Sequence, residues 1–456
     1  MLLSFSADFS YPNINTYLTS YMRNNATNGY NNDLTYDDWV FLTTTKVVVQ
    51  GGSMPFIGVL CRKIGCRMSI LIGSAIYSIG FMLTYFAVQS YFPLAILTLA
   101  AHGFAFCFVY ATSIGAAQKW FPKSQKGFIG SIVLSGYGYG SLIWFPLQTA
   151  FVNPNNVKAE CDDQACKNRY YKDPDMLDRI PGMFLLLGGI FAICGIIGTI
   201  LISEPDEETV EALEIEEVLD EAPWKIQKEK EEERNLKPTE VLRTVIFYQM
   251  WIGFFSIGLC NGLMSTYSKA FGLTFINDDH FYATVATVQN IFNGSCRILW
   301  GFCYDRFGFK ACLLSIGIAV TIITSSLPGF PYIGEDSTEA KVGYGTVMVL
   351  LYAVFPGIYA ILAAGNNDAF GSFHYKANFG LLFTQAVVSS LTIIMMTKIP
   401  VFQNILGYTG MFLVAGGFGV ISIVTTCFLP RYLSCKYVKT ASIFGAYFKH
   451  VKTSKS

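Results

Sequence analysis

The chain contains a series of apolar runs, each long enough to cross the hydrocarbon core of a membrane. They begin near Trp39, Met68, Tyr91, Phe128, Pro181, Val245, Phe281, Ala311, Val342, Phe379 and Gly407, and we number them helices 2 to 12. A spanning helix needs roughly 20 apolar residues. Charged residues make up only 14% of the 456 residues, whereas a soluble protein carries about a quarter. The sequence therefore predicts an all-α membrane protein with about a dozen spans.

Residues 1–23 precede these runs and are more polar than they are. They lack the basic start and the apolar region of a signal peptide. We interpret them as the second part of a spanning helix whose beginning is absent. The predicted fold is therefore a bundle of two six-helix halves in which the first helix is truncated.

A charged segment at residues 204–240 interrupts the apolar series, acidic at first and then mixed in sign. Because such a run repels itself and stays solvated, we predict a linker between halves at 1–203 and 241–430. A regulatory or partner-binding role for it stays open. Lys and Arg concentrate in alternate loops and in the tail, residues 431–456. By the positive-inside rule, these loops, the linker and the tail are predicted to be cytoplasmic, and we favour the plasma membrane over an organelle.

Two loops repeat one motif at an offset of 243 residues, from residue 58 to residue 301. The first contains Gly58, Arg62, Gly65 and Arg67, and the second contains Gly301, Asp305, Arg306, Gly308 and Lys310. In both, a charged and a basic residue lie between two glycines, and a further basic residue follows. Glycine allows a tight turn between closely packed helices. The repeat predicts two related halves with equivalent gating loops.

These loops, the charged linker and the six-plus-six count resemble the major facilitator superfamily. The stretches Lys119-Trp-Phe-Pro122 and Arg297-Ile-Leu-Trp-Gly301 further resemble the branch of monocarboxylate transporters and oxalate–formate antiporters. The resemblance implies an alternating-access carrier with a substrate-binding arginine at Arg297. It also implies an acid in each gating loop that meets a helix N-terminus. Asp305 keeps that acid, but Arg62 replaces the other and would be repelled there.

Two cations lie deep inside apolar runs, Lys46 in helix 2 and Arg297 in helix 8. Ionisable groups in a membrane are costly and are functional candidates by default. Helical spacing places Gln50 on the same face as Lys46, and Asn290 and Asn293 on the same face as Arg297. The resemblance implies that Tyr110 and Tyr359 form aromatic walls of the cavity. We predict that both polar faces turn inward at one depth and bind a small organic anion. The alternatives are that Lys46 snorkels or pairs with a carboxylate, that Arg297 is structural, and that the tyrosines only pack.

Proton coupling lacks an obvious carrier. The related carriers place an acid one turn before the arginine, where this chain has Asn293, which cannot titrate. Asp8 and His102 are the remaining candidates, although a lone membrane histidine more often packs than titrates. The related oxalate carriers also have a lysine around Gln385. Its absence here argues against a dicarboxylate substrate.

The function predicted from the sequence is secondary active or facilitative transport of small, monocarboxylate-like anions. Exchange, proton symport and facilitated diffusion all remain open. The alternatives are a non-transporting nutrient receptor and a carrier of neutral or cationic solutes. We expect no enzyme activity, catalytic residue, cofactor or metal site, because no fingerprint for one occurs. The net charge is zero, so we expect no nucleic-acid partner. The expected partners are the carboxylate, with or without a proton, and the bilayer; protein partners are not predicted.

Overall fold

The computed structural model describes residues 2–24, 34, 40–90, 92–122, 125–155, 157, 160–161, 169–206, 209, 235–272, 275–276, 279–334, 337–398, 400–430 and 433. Most of the predicted linker and nearly all of the predicted tail lie outside these residues. The described chain is helical except for one two-stranded antiparallel sheet, in which β1 (Glu160–Cys161) pairs with β2 (Arg169–Tyr170).

The first half begins with Leu2–Asn24, which was predicted to be a partial helix. It is helical throughout and consists of α1 (Leu2–Phe5), a 3-10 turn (Ser6–Ser10) and α2 (Tyr11–Asn24). The remaining helices of this half are α3 (Val40–Val88), α4 (Phe92–Gln118), α5 (Lys126–Gly138), α6 (Gly140–Val152), α7 (Pro174–Leu177) and α8 (Arg179–Leu201).

The second half opens with the short helix α9 (Pro238–Val241). It continues with α10 (Val245–Gly272), α11 (Asp279–Ser326), a 3-10 turn (Leu327–Tyr332), α12 (Thr338–Val354), α13 (Pro356–Phe370), α14 (Tyr375–Phe383), α15 (Gln385–Lys398) and α16 (Pro400–Cys427). The last helix begins at Pro400, before its predicted start at Gly407. Gly407 has φ of 54° and is a bend inside α16.

Nine segments of the described chain are long and apolar enough to cross a membrane. Two of them, Thr44–Val88 and Thr284–Tyr332, contain 45 and 49 residues. At 1.5 Å per residue each would be roughly 70 Å long, more than twice the thickness of a bilayer core. Each changes direction at an internal glycine and therefore provides two spans. The all-helical membrane bundle is confirmed.

The two turning glycines are those of the repeated loops, and their backbones are nearly identical. Gly65 has φ and ψ of 81° and 172°, and Gly308 has 81° and 173°. A residue with a Cβ rarely adopts this conformation. The repeated motif therefore marks two turns of the same geometry, one in each half.

The last basic residue of each loop also has an equivalent partner. Nε of Arg67 donates to the carbonyl oxygen of Ile202 at 2.9 Å, directly after α8. Nζ of Lys310 donates to the carbonyl oxygens of Cys427 and Leu429 at 2.8 and 2.7 Å, at the end of α16. Cations are stabilised at helix C-termini. Each loop is thus fastened to the last helix of its own half. We call the end of the bundle that carries both loops the basic end.

Near the basic end, glycines bring the two halves into close contact. The first part of α3 packs on α14 and α15, and α5 packs on α11. A Cβ added at Gly58 would overlap the backbone of Lys376, and one added at Gly301 would overlap the carbonyl oxygen of Gly127. Helix backbones approach this closely only where side chains are missing. The described structure is therefore closed at the basic end.

This packing makes Gly301→Ala a test of the contact between the halves. The added methyl group has no space against α5, so we expect the fold to lose about 1–3 kcal/mol through overpacking. The apparent unfolding midpoint of the purified protein should fall. Gly52→Ala is the matched control, because nothing lies within 4 Å of that position. Equal midpoints for the two variants would contradict the described packing.

Candidate functional site

Arg297 lies on α11 and is one of the most deeply buried side chains of the described chain, at 2% exposure. Its Nε and Nη2 atoms both donate to Oδ1 of Asn293 at 3.2 Å. Asn293 lies one helical turn earlier, so the two side chains are neighbours on one helix face. Asn293 therefore orients the guanidinium, a role that the sequence did not assign to it.

Three tyrosines from different helices surround the guanidinium. Its Cζ atom lies 5.9 Å from the ring centre of Tyr137 on α5 and 5.7 Å from that of Tyr359 on α13. Both distances fall within the range of a cation–π contact. The hydroxyl group of Tyr110 on α4 also approaches the guanidinium. Tyr110 and Tyr137 belong to the first half and Tyr359 to the second, so Arg297 lies between the halves.

Sequence reasoning missed Tyr137, although a signal for it was present. It lies between Gly136 and Gly138 in the glycine series of the fifth apolar run. A Cβ at Gly138 would lie 3.2 Å from Nε of Arg297. The glycine thus leaves room for the guanidinium beside the tyrosine ring.

One donor of the guanidinium is unused. The buried Nη1 atom of Arg297 makes no hydrogen bond with the part of the chain that the structure describes. Buried polar groups nearly always have partners, and an exception is often explained by a functional role. Nη1 of Arg297 can therefore donate a hydrogen bond to an additional acceptor between the two halves.

Lys46 and Gln50 turn inward, as their spacing predicts, and are 8% and 7% exposed. Lys46 packs against Gly103 of α4, where a Cβ would lie 3.2 Å from its Cγ atom. The carbonyl oxygen of Gln50 accepts a hydrogen bond from Sγ of Cys107 at 3.1 Å. On α4, Gly103 precedes Tyr110, the neighbour of Arg297, by seven residues, or about 10 Å of helix.

Three other residues were predicted for the site: Asn290, Asp8 and His102. Asn290 is half-buried on α11, and the side chain of Asp8 lies outside the described part of the chain. His102 is fully buried. Its ring stacks on Phe81, with centres 4.2 Å apart and planes 14° apart, and also contacts Tyr77 at 4.7 Å. These contacts place His102 in an aromatic cluster of the first half.

Asp305 joins the halves at the basic end. Its two carboxylate oxygens accept hydrogen bonds from the backbone N–H groups of Gly127 at 2.9 Å and Phe128 at 2.7 Å, in the first turn of α5. A carboxylate is favoured at a helix N-terminus. The neighbouring Tyr304 donates to Asp368 at 2.6 Å. Asp305 therefore makes the contact with a helix N-terminus that the resemblance implied. Arg306, the next residue, is exposed.

Arg62 has the equivalent position in the first half, but its contact has different chemistry. Its Nη1 atom lies 2.7 Å from Nδ1 of His374, and its Cζ atom lies 4.3 Å from the ring centre of Phe373. His374 is the N-cap residue of α14. Arg62 thus avoids the expected repulsion by a helix N-terminus, because it contacts the ring nitrogen of His374 and the ring face of Phe373. No local pattern predicts this contact, because 312 residues separate its partners.

The family model described as "Major Facilitator Superfamily" matches residues 1–378. The chain belongs to the Major Facilitator Superfamily. It is 24% identical over 351 residues to the oxalate:formate antiporter of Oxalobacter formigenes, covering 76% of this chain and 72% of that protein. It is 25% identical over 395 residues to apicoplast pyruvate carrier 1 of Toxoplasma gondii, covering 79% and 69%.

Solved structures of the superfamily share the fold. The E. coli fucose:proton symporter FucP matches with a TM-score of 0.63 and 12% identity, covering 94% of this chain and 96% of that one. At this identity the likeness concerns the fold alone. The superfamily membership and the resemblance to the oxalate–formate branch are confirmed. This superfamily member is a multi-pass membrane transporter and not an enzyme.

The contact of Asp305 with α5 predicts the behaviour of Asp305→Asn. The variant keeps the size of the side chain but loses the charge, and charge-assisted hydrogen bonds contribute roughly 1.5–3 kcal/mol. We expect the amides at residues 127 and 128 to exchange hydrogen for deuterium about tenfold faster or more. Mass spectrometry of the corresponding peptide measures this. Asp175→Asn, an exposed change at the other end of the bundle, is the control. Unchanged exchange in Asp305→Asn would rule out the contact.

Proposed function

We propose that this superfamily member carries small monocarboxylate-like anions across the membrane by alternating access, with Arg297 binding the carboxylate. The observation that carries this proposal is the unused Nη1 donor of a buried guanidinium between the two halves. A buried charge without a counter-ion is costly, and a bound anion removes that cost. A carboxylate is the matching group, because one of its oxygens can accept from Nη1 and the other from the second hydrogen of Nη2.

The surroundings of Arg297 support a small anion with one carboxylate. Asn293 occupies Nε and Nη2, which fixes the plane of the guanidinium. The side chains of Tyr110 and Tyr359 interact electrostatically with the Arg297 cation. Their hydroxyl groups could donate hydrogen bonds to the second oxygen of the substrate. Gln385, near the position where the related oxalate carriers have a lysine, is neutral and buried. A dicarboxylate would lack the second cation there.

The substrates of two relatives agree with this class. One relative is an oxalate:formate antiporter and another is a pyruvate carrier, and each of these substrates is a small carboxylate. We extend the class, but no single substrate, to this chain. Lys46, Gln50 and Asn290 would complete the path of the anion through the bundle. Asp8 and His102 remain the candidates for carrying a proton.

Alternating access would use the contacts at the basic end. With Asp305 bound to α5 and the glycine contacts formed, a substrate would have to reach Arg297 from the opposite end of the bundle. Opening at the basic end requires both sets of contacts to separate. The loop charges favour a cytoplasmic basic end. For the protein as a whole we favour the plasma membrane over an organelle.

The proposal predicts that Arg297→Lys reduces transport strongly. Lysine keeps the charge but loses the planar fork that grips a carboxylate. We expect uptake of radiolabelled pyruvate or formate into proteoliposomes, at low substrate concentration, to fall roughly tenfold or more, and to fall further in Arg297→Ala. Arg243→Ala, which removes an exposed arginine of the second half, should transport at the wild-type rate.

Three outcomes would contradict the proposal. Uptake that survives Arg297→Ala would remove the assigned binding residue. Binding of pyruvate without flux would favour a non-transporting receptor. Flux of neutral or cationic solutes alone would favour a carrier of those solutes. Oxalate in the same assay tests the one-carboxylate preference, since we expect it to be transported more slowly than formate.

A further inference from the structure

The contact between Arg62 and His374 joins the two halves at the basic end. It lies one helical turn beyond Gly58, where α3 meets the backbone of Lys376. The guanidinium donates to Nδ1 of His374 at 2.7 Å and covers the ring of Phe373 at 4.3 Å. Because both partners belong to the second half, this contact must separate whenever the basic end opens.

The contact specifies the charge of the His374 ring. A guanidinium has donors only and stays charged, so the imidazole must supply the acceptor. An imidazole nitrogen accepts a hydrogen bond only when it carries no proton. Nη1 of Arg62 lies 2.7 Å from Nδ1 and 3.5 Å from Nε2, so the contact requires a neutral ring. A doubly protonated ring has no acceptor, and it would place a second cation against Arg62.

Three charged side chains face the His374 ring. Arg62 approaches from α3, while Lys237 and Glu240 approach from α9 and its N-cap. Desolvation lowers the pKa of His374 below its ordinary value of 6.5, Arg62 and Lys237 lower it further, and Glu240 opposes them. The closed arrangement therefore favours the neutral ring that the hydrogen bond requires.

The loop that carries His374 is held in place by the chain before α9. The backbone N–H of Phe373 donates to Oδ1 of Asn235 at 2.9 Å, and that of Leu236 donates to the carbonyl oxygen of Phe370 at 3.0 Å. Nδ2 of Asn378 donates to the carbonyl oxygen of Leu236 at 3.0 Å. Because His374 is braced within the second half, repulsion at its ring acts on Arg62 and hence on the first half.

We propose that Arg62 and His374 form a pH-sensitive latch, which holds the basic end closed while His374 is neutral and releases it when the ring is protonated. The latch replaces the acid-to-helix contact that Asp305 makes in the other loop. It makes opening of the basic end depend on the acidity of the compartment that this end faces. It is independent of the substrate.

The direction of the pH effect follows from the two states. In the open state the ring faces water, and its pKa returns towards 6.5. The closed state binds the proton less tightly, so its stability is present above that value and is lost as the pH falls below it. The closed-to-open ratio decreases by up to about tenfold for each unit between the two pKa values.

The distance between the gating loops measures the latch directly. Met68 and Phe307 are exposed beside the two loops, and spin labels can be attached there through genetically encoded amino acids, which leaves the native cysteines unlabelled. Double electron–electron resonance then reports the closed and open populations of the full chain in nanodiscs without substrate. We expect the closed population to decrease between about pH 7.5 and about pH 5.5, the interval in which histidine titrates.

Variants separate the latch from a general effect of acid. His374→Gln keeps an acceptor but cannot titrate, so it should remain closed at both pH values. His374→Arg carries a permanent charge and should be open at both. Lys63→Gln, a change of the exposed neighbour of Arg62, should retain the wild-type response.

Each contrary result overturns the proposal. A wild-type distribution that does not change with pH excludes the latch. A pH response in His374→Gln that equals the wild type assigns the effect to other groups. A His374→Gln variant that is open at both pH values shows that the acceptor does not hold the contact. Because no substrate is added, these results stand apart from the tests of anion transport.

Discussion

Lipid offers no hydrogen-bond partners, and the described structure is organised by this constraint. Backbone groups satisfy one another within helices. Polar side chains are directed between helices, where a protein neighbour can replace water. Arg297 shows the limit of this rule: Asn293 serves two of its nitrogens, but Nη1 remains without a partner among the described residues. In the function proposed above, a bound anion completes this site.

The two repeated loops show how one backbone geometry can carry two kinds of contact. Gly65 and Gly308 impose the same turn, and Arg67 and Lys310 fasten the loops to equivalent helix ends. The contact across the halves is where they differ. A helix N-terminus attracts a carboxylate directly, whereas a guanidinium needs a neutral acceptor there. One altered position in a loop therefore requires different partners on the opposing helix.

The sequence predicted the features that depend on local pattern. Apolar length gave the spanning helices, the repeat gave the paired turns, and depth within an apolar run identified Arg297. Features that depend on packing between distant segments were not predicted. Tyr137 reaches Arg297 only because α5 crosses α11 at a glycine. The shared depth of Lys46 and Arg297 stays a prediction, because helix position alone does not fix how two halves are offset. His374 had no signal, since no local rule relates it to Arg62.

The contacts at the basic end also limit how tightly the anion can be held. Each charge-assisted contact between the halves contributes on the order of 1.5–3 kcal/mol, and opening must overcome them. A substrate shifts this equilibrium only through a difference in its affinity for the two states. Arg297 is contacted by Tyr110 and Tyr137 from one half and Tyr359 from the other. An anion bound there is held best when both halves are close to it. In the proposed mechanism, binding therefore favours a state that is closed around the anion. Release at the basic end then requires contacts between the halves that are weak enough to open without a contribution from substrate binding.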